Sequence, residues 1–359
     1  MTISLEALTR TADYIAAVQH ADGGIPWFEG GIIDPWDHVE SAMGLSVGGR
    51  LAEAQNAFHW LARHQHPEGY WLAAYDGDRI ADGTRAETNF VAYAATGIWH
   101  YYLVTQDDAF LSALWPTVSR ALDFVLSLQA ATGEVYWALD TRTGINKDAL
   151  VTGCSSIYLS LDCGSAIAGE LGEPAAHWIA ARDKLGLALA SRPERFDRTW
   201  ESKARYSMDW FYPVLAGAIS GSAAIARLDA RWEEFVEPEL GCRCVSDRPW
   251  ITIAESCELV RACAAAGETD RAAALFDRLG RYQAEDGSWW TGYVFTDDVM
   301  WPNERPTWTA GAVLLAADAL HCLTPAAGLF TTEVPHSQQS TAGAQGSDAL
   351  QRPKRAYRG

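Results

Sequence analysis

Apolar and charged positions recur along this chain with a helical period of about 3.6 residues, and they sort into two kinds of segment. Segments near 4–19, 51–65, 109–130, 174–191, 223–236 and 269–283 set Leu, Ala, Val or Phe at i, i+3 and i+4 against a charged face, which predicts half-solvated amphipathic helices. Segments near 37–48, 87–105, 152–171, 207–219, 250–266 and 306–322 are rich in Ala, Gly, Ser and apolar residues and nearly free of Lys. Helices apolar on most faces are buried ones. The two kinds alternate six times, so twelve antiparallel helices close into an all-α (α/α)6 toroid in which inner helices bury the core and outer helices shield it.

A short string repeats inside this pattern: Gln19 to Trp27 (QHADGGIPW), Gln65 to Trp71 (QHPEGYW), Gln129 to Trp137 (QAATGEVYW) and Gln283 to Trp289 (QAEDGSW). Each has Gln, three residues, Gly, and a Trp two or four residues later, which predicts an outer helix ending at the Gln, a Gly turn and a packed Trp.

The connections sort by length. Inner-to-outer turns are short, whereas outer-to-inner loops span roughly 20–36, 66–86, 131–151, 192–206, 237–249 and 284–305. In an antiparallel ring all the long loops emerge on the face that holds the N-termini of the inner helices. Loops of this length in a compact domain usually serve function, so a funnel is expected there.

The inner-helix entrances are polar and aromatic. Asp37, His38, Glu40, Glu87, Asp209, Glu255 and Glu304 are the candidate catalytic residues, and Trp36, Arg85, Asn89, Tyr206, Trp210, Arg248, Trp250, Asp298, Trp301, Arg305 and Trp308 the candidate substrate-binding residues. Five of the six entrances place a Lys or Arg near an acid. With converging helix dipoles this favours an anionic group at the mouth, either a diphosphate or a sugar carboxylate. Glu40 and Glu255, a turn deeper in apolar helices, are the expected proton donors; His38 beside the acids is a candidate acid or base. Asp37, Glu87 and Asp209 also sit where a helix cap or first-turn acid would stabilise the helix.

The net charge of −18 leaves no basic field to displace counterions from a polyanion, so nucleic acid is not an expected partner. Seven cysteines, irregularly spaced in apolar stretches, read as reduced, buried thiols. No metal-ligand spacing and no nucleotide or cofactor motif occurs, so neither metal nor cofactor is expected. The start carries no signal-peptide pattern and no window reads as a membrane span, which predicts a cytoplasmic protein. Residues 1–325 are expected to form one toroid domain. Residues 326–359, poor in periodic apolar positions, are expected to be a disordered tail.

The Gln-x3-Gly-x-Trp strings at 65–71 and 283–289, on an alternating twelve-helix frame, resemble the terpenoid cyclase and protein prenyltransferase α/α-toroid superfamily. The resemblance covers about residues 1–325 and implies a prenyltransferase-like or terpenoid-cyclase-like enzyme acting on an isoprenoid diphosphate. The chain lacks both the acidic Asp-x-Asp-Asp string of the cyclases and the zinc set of the prenyltransferases; Glu255-Ser-Cys257 is the nearest echo of the latter. The six-hairpin glycosidases and lyases share the same ring, and resemblance to them implies two carboxylates set across the funnel on a sugar. A third reading is a toroidal binding module without catalysis.

Overall fold

The computed structural model describes residues 3–331 and builds the predicted ring. Outer helices are α1 (Leu5–Val18), α3 (Leu51–His64), α5 (Asp108–Ser127), α7 (Ala176–Ser191), α9 (Gly221–Ala230) with the one-turn α10 (Trp232–Phe235), and α12 (Thr269–Leu279). Inner helices are α2 (Pro35–Val47), α4 (Thr88–Thr105), α6 (Val151–Leu171), α8 (Ser207–Leu215), α11 (Ile253–Ala265) and α13 (Thr307–His321). Each inner helix packs on the next in the order α2, α4, α6, α8, α11, α13, and α13 packs back on α2. The chemistry of the inner set explains the closeness: on α13, a Cβ at Gly311 would press on the backbone of Glu40 and Ser41 of α2. Outer helices are amphipathic as read; α12, for example, buries Ala272, Leu275, Phe276 and Leu279 while Asp270 and Asp277 are exposed.

The repeated string is the fastener of the ring. In each copy the Gln carboxamide donates to the carbonyl of its own Gly and to a carbonyl of the next outer helix. Gln19 reaches Gly23 and Glu53, both at 2.9 Å. Gln65 reaches Gly69 and Thr117, both at 2.9 Å, and Gln129 reaches Gly133 at 3.0 Å and Ala181 at 2.8 Å. Gln283 reaches Ala7 and Thr11 of α1, each at 3.0 Å, which joins the last outer helix to the first. The Gly is required twice over. Gly287 has φ of +88°, and a Cβ there would overlap the Arg10 carbonyl. Gly287→Ala is therefore expected to cost about 2 to 4 kcal/mol, from left-handed strain plus overpacking. Urea unfolding checks it, and a loss under about 0.5 kcal/mol would show that the seam is not held there.

The long loops carry strands that the all-helical reading did not include. Four of the six build three small antiparallel sheets on one face: β1 (Ala74–Asp76) with β2 (Arg79–Asp82); β3 (Arg85–Glu87), β4 (Ala138–Asp140) and β5 (Gly144–Asn146); and a five-stranded sheet. The last runs β10 (Val299–Met300), β9 (Gly292–Val294), β8 (Trp250–Thr252), β7 (Gly241–Arg243), β6 (Val236–Glu237). These strands have two to four residues each, too short for an alternating pattern to register against the helical background. The first residues of α11 as read, Trp250 to Thr252, are thus strand β8 leading into the helix.

Helix α5 is long and apolar enough by length and composition to cross a bilayer, yet it buries Phe110, Leu114, Val118 and Leu122 in the ring. At the far end, Ala326, Leu329 and Phe330 are buried against the ring, with the Arg261 guanidinium 4.6 Å from the Phe330 ring centroid. These residues belong to the segment expected as a tail; positions 332–359 lie outside the described residues.

Candidate active site

A cavity of about 280 Å³ opens on the loop-bearing face, and its wall comes from the first two turns of all six inner helices. Helix α2 supplies Trp36, Asp37 and Glu40, α4 supplies Asn89 and Phe90, and α6 supplies Thr152. Helices α8, α11 and α13 supply Met208, then Ala254, Glu255 and Glu258, then Trp308 and Ala312. Six of the residues singled out from the sequence are therefore brought together: Trp36, Asp37, Glu40, Asn89, Glu255 and Trp308.

Asp34, the α2 N-cap, accepts from the Trp36 and Asp37 amides, both at 2.9 Å, and from the Trp27 indole. Its carboxyl hydrogen-bonds to that of Asp37. Burial pushes both acids up. Asp37 moves well above the carboxylate range because the charges of Asp34, Glu40 and Glu258 also oppose its ionisation. Burial and these neighbours both favour the protonated form of Asp37.

Glu40 differs from the proton donor expected of it. The Arg261 guanidinium donates to one of its oxygens at 2.8 Å and the Tyr93 hydroxyl donates to the other. Glu40 is an acceptor on both oxygens. The same Arg261 lies 3.8 Å from Glu258, whose carboxyl is pushed well up by burial, with Arg261 opposing and Glu40 and Glu255 adding to the rise. Two glutamates thus share one buried cation at the cavity floor. Glu255, by contrast, has one carboxylate oxygen buried without a protein partner. Trp36 forms one wall, stacked on Tyr93 at 4.1 Å between centroids.

Other candidates lie elsewhere. His38 is fully buried and turned away from the cavity lining: its Nδ1 accepts from the Ile25 amide at 3.1 Å and Nε2 donates to the Ala57 carbonyl at 2.9 Å. Burial lowers it to about 4, so it is neutral with no lone pair or proton free. Trp210 is core, stacked on Phe235 and donating to the Arg227 carbonyl at 2.7 Å. Glu304 accepts from Thr291 through its backbone carbonyl. Glu87 is buried beside Arg85, which donates to it at 2.7 Å and to Asp82 at 2.9 Å, and Trp137 donates to it at 3.3 Å. Tyr206, Arg248 and Asp298 are exposed around the rim, as is Trp301, which packs on half-buried Trp250.

The cations do not make a positive mouth. Arg85, Arg205 and Arg305 are paired with Asp82 and Glu87, with Asp247, and with Asp286. The charged groups that line the cavity are all acids, Asp37, Glu40, Glu255 and Glu258. This overturns the expectation of an anion-binding pocket, because Arg85, Arg205 and Arg305 are neutralised by neighbouring acids and no Lys or Arg lines the cavity.

Asp209 lies outside the lining, its carboxyl raised to about 6 by burial and Asp197 against Arg227 and Arg231. A carboxyl raised in the folded state loses stability as pH climbs past its unfolded value and through that folded value. Asp209→Asn is therefore expected to add up to about 2 kcal/mol at pH 8 and nothing at pH 4, read by denaturation at the two pH values. A gain that is equal at both would refute the assignment.

Sequence reasoning missed Glu258, Arg261, Tyr93, Phe90 and Met208. For two of them the signal was there: Glu255, Glu258 and Arg261 recur every three residues on an otherwise apolar inner helix.

The chain is 48% identical over 325 residues, 90% of its length and 89% of the relative's, to the MMP endo-(1,4)-3-O-methyl-alpha-D-mannosidase of Mycolicibacterium hassiacum. It belongs to the family of that mannosidase. The chain is accordingly an enzyme of a glycoside-cleaving family, and the prenyltransferase, terpenoid-cyclase and non-catalytic readings are corrected by this relationship together with the acidic cavity. No family model matches the chain. Among solved structures, a glycosidase variant in complex with glucose shares the fold at TM-score 0.68 and 16% identity, over 89% of this chain and 98% of that one. The GH63 mannosylglycerate hydrolase of Thermus thermophilus in complex with glucose does so at TM-score 0.66 and 14% identity, over 86% and 99%. The Gln-x3-Gly strings thus reported the toroid and not its chemistry. Among the described residues no group of three or more His, Cys, Asp or Glu side chains is arranged to hold a metal.

Proposed function

We propose that the chain is an endo-acting glycoside hydrolase that cleaves internal α-(1,4) bonds of a 3-O-methylated mannose chain. The observation that carries the reading is the meeting of two carboxyls in one cavity, Asp37 from α2, which burial and its acidic neighbours push up, and Glu255 from α11, in a chain 48% identical to an endo-mannosidase.

Glycoside hydrolysis needs a proton for the leaving oxygen and a carboxylate for the water or the sugar carbon. Asp37 is the proton donor: burial and its acidic neighbours keep the proton on until the glycosidic oxygen accepts it. Glu255, half-buried in the cavity lining, is the carboxylate placed to receive the attacking water. As the bond breaks, positive charge develops on the sugar, and the Glu40 carboxylate on the floor stabilises it. Arg261 holds that acidic floor together while the sugar is absent. Phe90, Met208, Trp36 and Ala312 give the cavity an apolar wall on which an O-methyl group is buried more favourably than a hydroxyl.

The test is incubation of purified protein with a 3-O-methylated α-(1,4)-mannose chain and with its unmethylated counterpart, reading the products by mass spectrometry. Intermediate-length fragments from the methylated chain are expected. Release of single sugars alone would refute the internal cut, and no fragments from either chain would refute the reading.

A further inference from the structure

We infer that the Trp250–Trp301 pair on the five-stranded sheet is a second sugar-binding platform, which grips the substrate chain outside the cavity. The inference rests on the internal-cleavage reading above. A cavity of about 280 Å³ is at the small end of ligand sites and is closed at its floor by the Glu40–Arg261 pair. A chain cut in its middle must therefore leave over the rim, and what lies on the rim decides how it is held.

The rim between α11 and α13 carries an aromatic pair with no core role. Trp301 is 53% exposed, although Trp is among the residues that folding buries most. Its exposure is not looseness. Its amide donates to the Gly292 carbonyl at 2.9 Å, and its carbonyl accepts from the Trp250 indole at 2.9 Å. The two rings meet edge to face at 5.1 Å and 75°. Trp250 lies close over the β9 backbone at Gly292, where any side chain would collide with the indole, so the sheet fixes the pair's height and tilt. Val299, also exposed, flanks the pair on β10.

Both segments run straight into the cavity. Trp250 opens β8, which passes into α11 and Glu255; Trp301 precedes α13 and Trp308. A rigid, exposed aromatic surface set beside a sugar-cleaving cavity binds the apolar face of a pyranose ring, and it loses little entropy in doing so. A 3-O-methyl group adds to the apolar area available. The occupant is one further sugar of the chain whose scissile bond sits at Asp37.

The experiment compares wild type with Trp301→Ala and Trp301→Phe by calorimetric titration of 3-O-methylated mannose oligosaccharides of increasing length, and of the single methylated sugar. Trp301→Ala is expected to weaken long-chain binding about tenfold, with single-sugar binding unchanged and most of the loss recovered in Trp301→Phe. In turnover the same variant is expected to raise KM for long chains and leave kcat in place. Equal affinities in the three proteins at every length, or an equal loss on short and long ligands, would overturn the platform. So would a wild type that binds no such chain. If wild type binds the chain with this Trp301 dependence yet does not cut it, the platform stands and the proposed hydrolysis falls.

Discussion

Asp37→Asn is expected to lower kcat/KM on the methylated mannose chain by about a thousandfold or more while leaving the melting temperature within a few degrees of wild type. The substitution keeps size and keeps a group facing Asp34, but it removes the proton that the leaving oxygen needs. The helix cap is untouched, because Asp34 and not Asp37 accepts the first-turn amides. The direction of the pH effect follows from the same geometry. Only protonated Asp37 is competent as the donor, so activity falls as pH rises through its upshifted value, and this limb should be the one lost in the variant. Asp34→Asn removes a neighbouring charge that helps to keep the proton on Asp37, and should move the limb to lower pH with turnover retained in acid. Undiminished turnover by Asp37→Asn would remove Asp37 from the chemistry, and loss of turnover accompanied by unfolding would make it structural.

Arg261→Met should show the largest stability effect, about 3 to 5 kcal/mol in urea unfolding at neutral pH. The guanidinium is fully buried and joins Glu40 of α2 to Glu258 of α11. Without it two glutamates face each other at the cavity floor with no cation between them. The penalty should shrink in acid, because the stranded carboxyls then have raised folded-state pKa values and give up stability as pH climbs. Adding Glu40→Gln and Glu258→Gln to Arg261→Met should recover most of the loss, since a neutral floor needs no counter-charge. A single-variant loss below about 1 kcal/mol, or one that does not depend on pH, would show that the cluster is not coupled in this way.

The two variants divide the cavity by role: one removes a reacting proton at the rim and the other the cation that holds the floor. They also mark how differently the parts were legible. Asp37, Glu40 and Glu255 could be singled out as acids at helix entrances, a local feature. Assigning Glu40 as a donor went astray because its partners Arg261 and Tyr93 lie 221 and 53 residues away in the chain. His38 read as a general acid or base for its sequence neighbours, yet the helix turns its ring outward to Ile25 and Ala57. The helix-entrance arginines read as an anion site in part because Arg205 and Arg305 pair with Asp247 and Asp286, 42 and 19 residues away, in contacts made between loops.

What the amino-acid order determined by itself was the ring. A 3.6-residue period, two classes of helix and a four-fold Gln-x3-Gly string are short-range patterns, and each is satisfied by contacts within a helix or with the next outer helix. Tertiary structure alone decided which side chains share the cavity, which acid keeps its proton and which cations are spent. Those outcomes depend on burial and on Coulomb interactions between residues that meet only when α13 closes against α2, and a one-dimensional pattern does not encode distances across a ring.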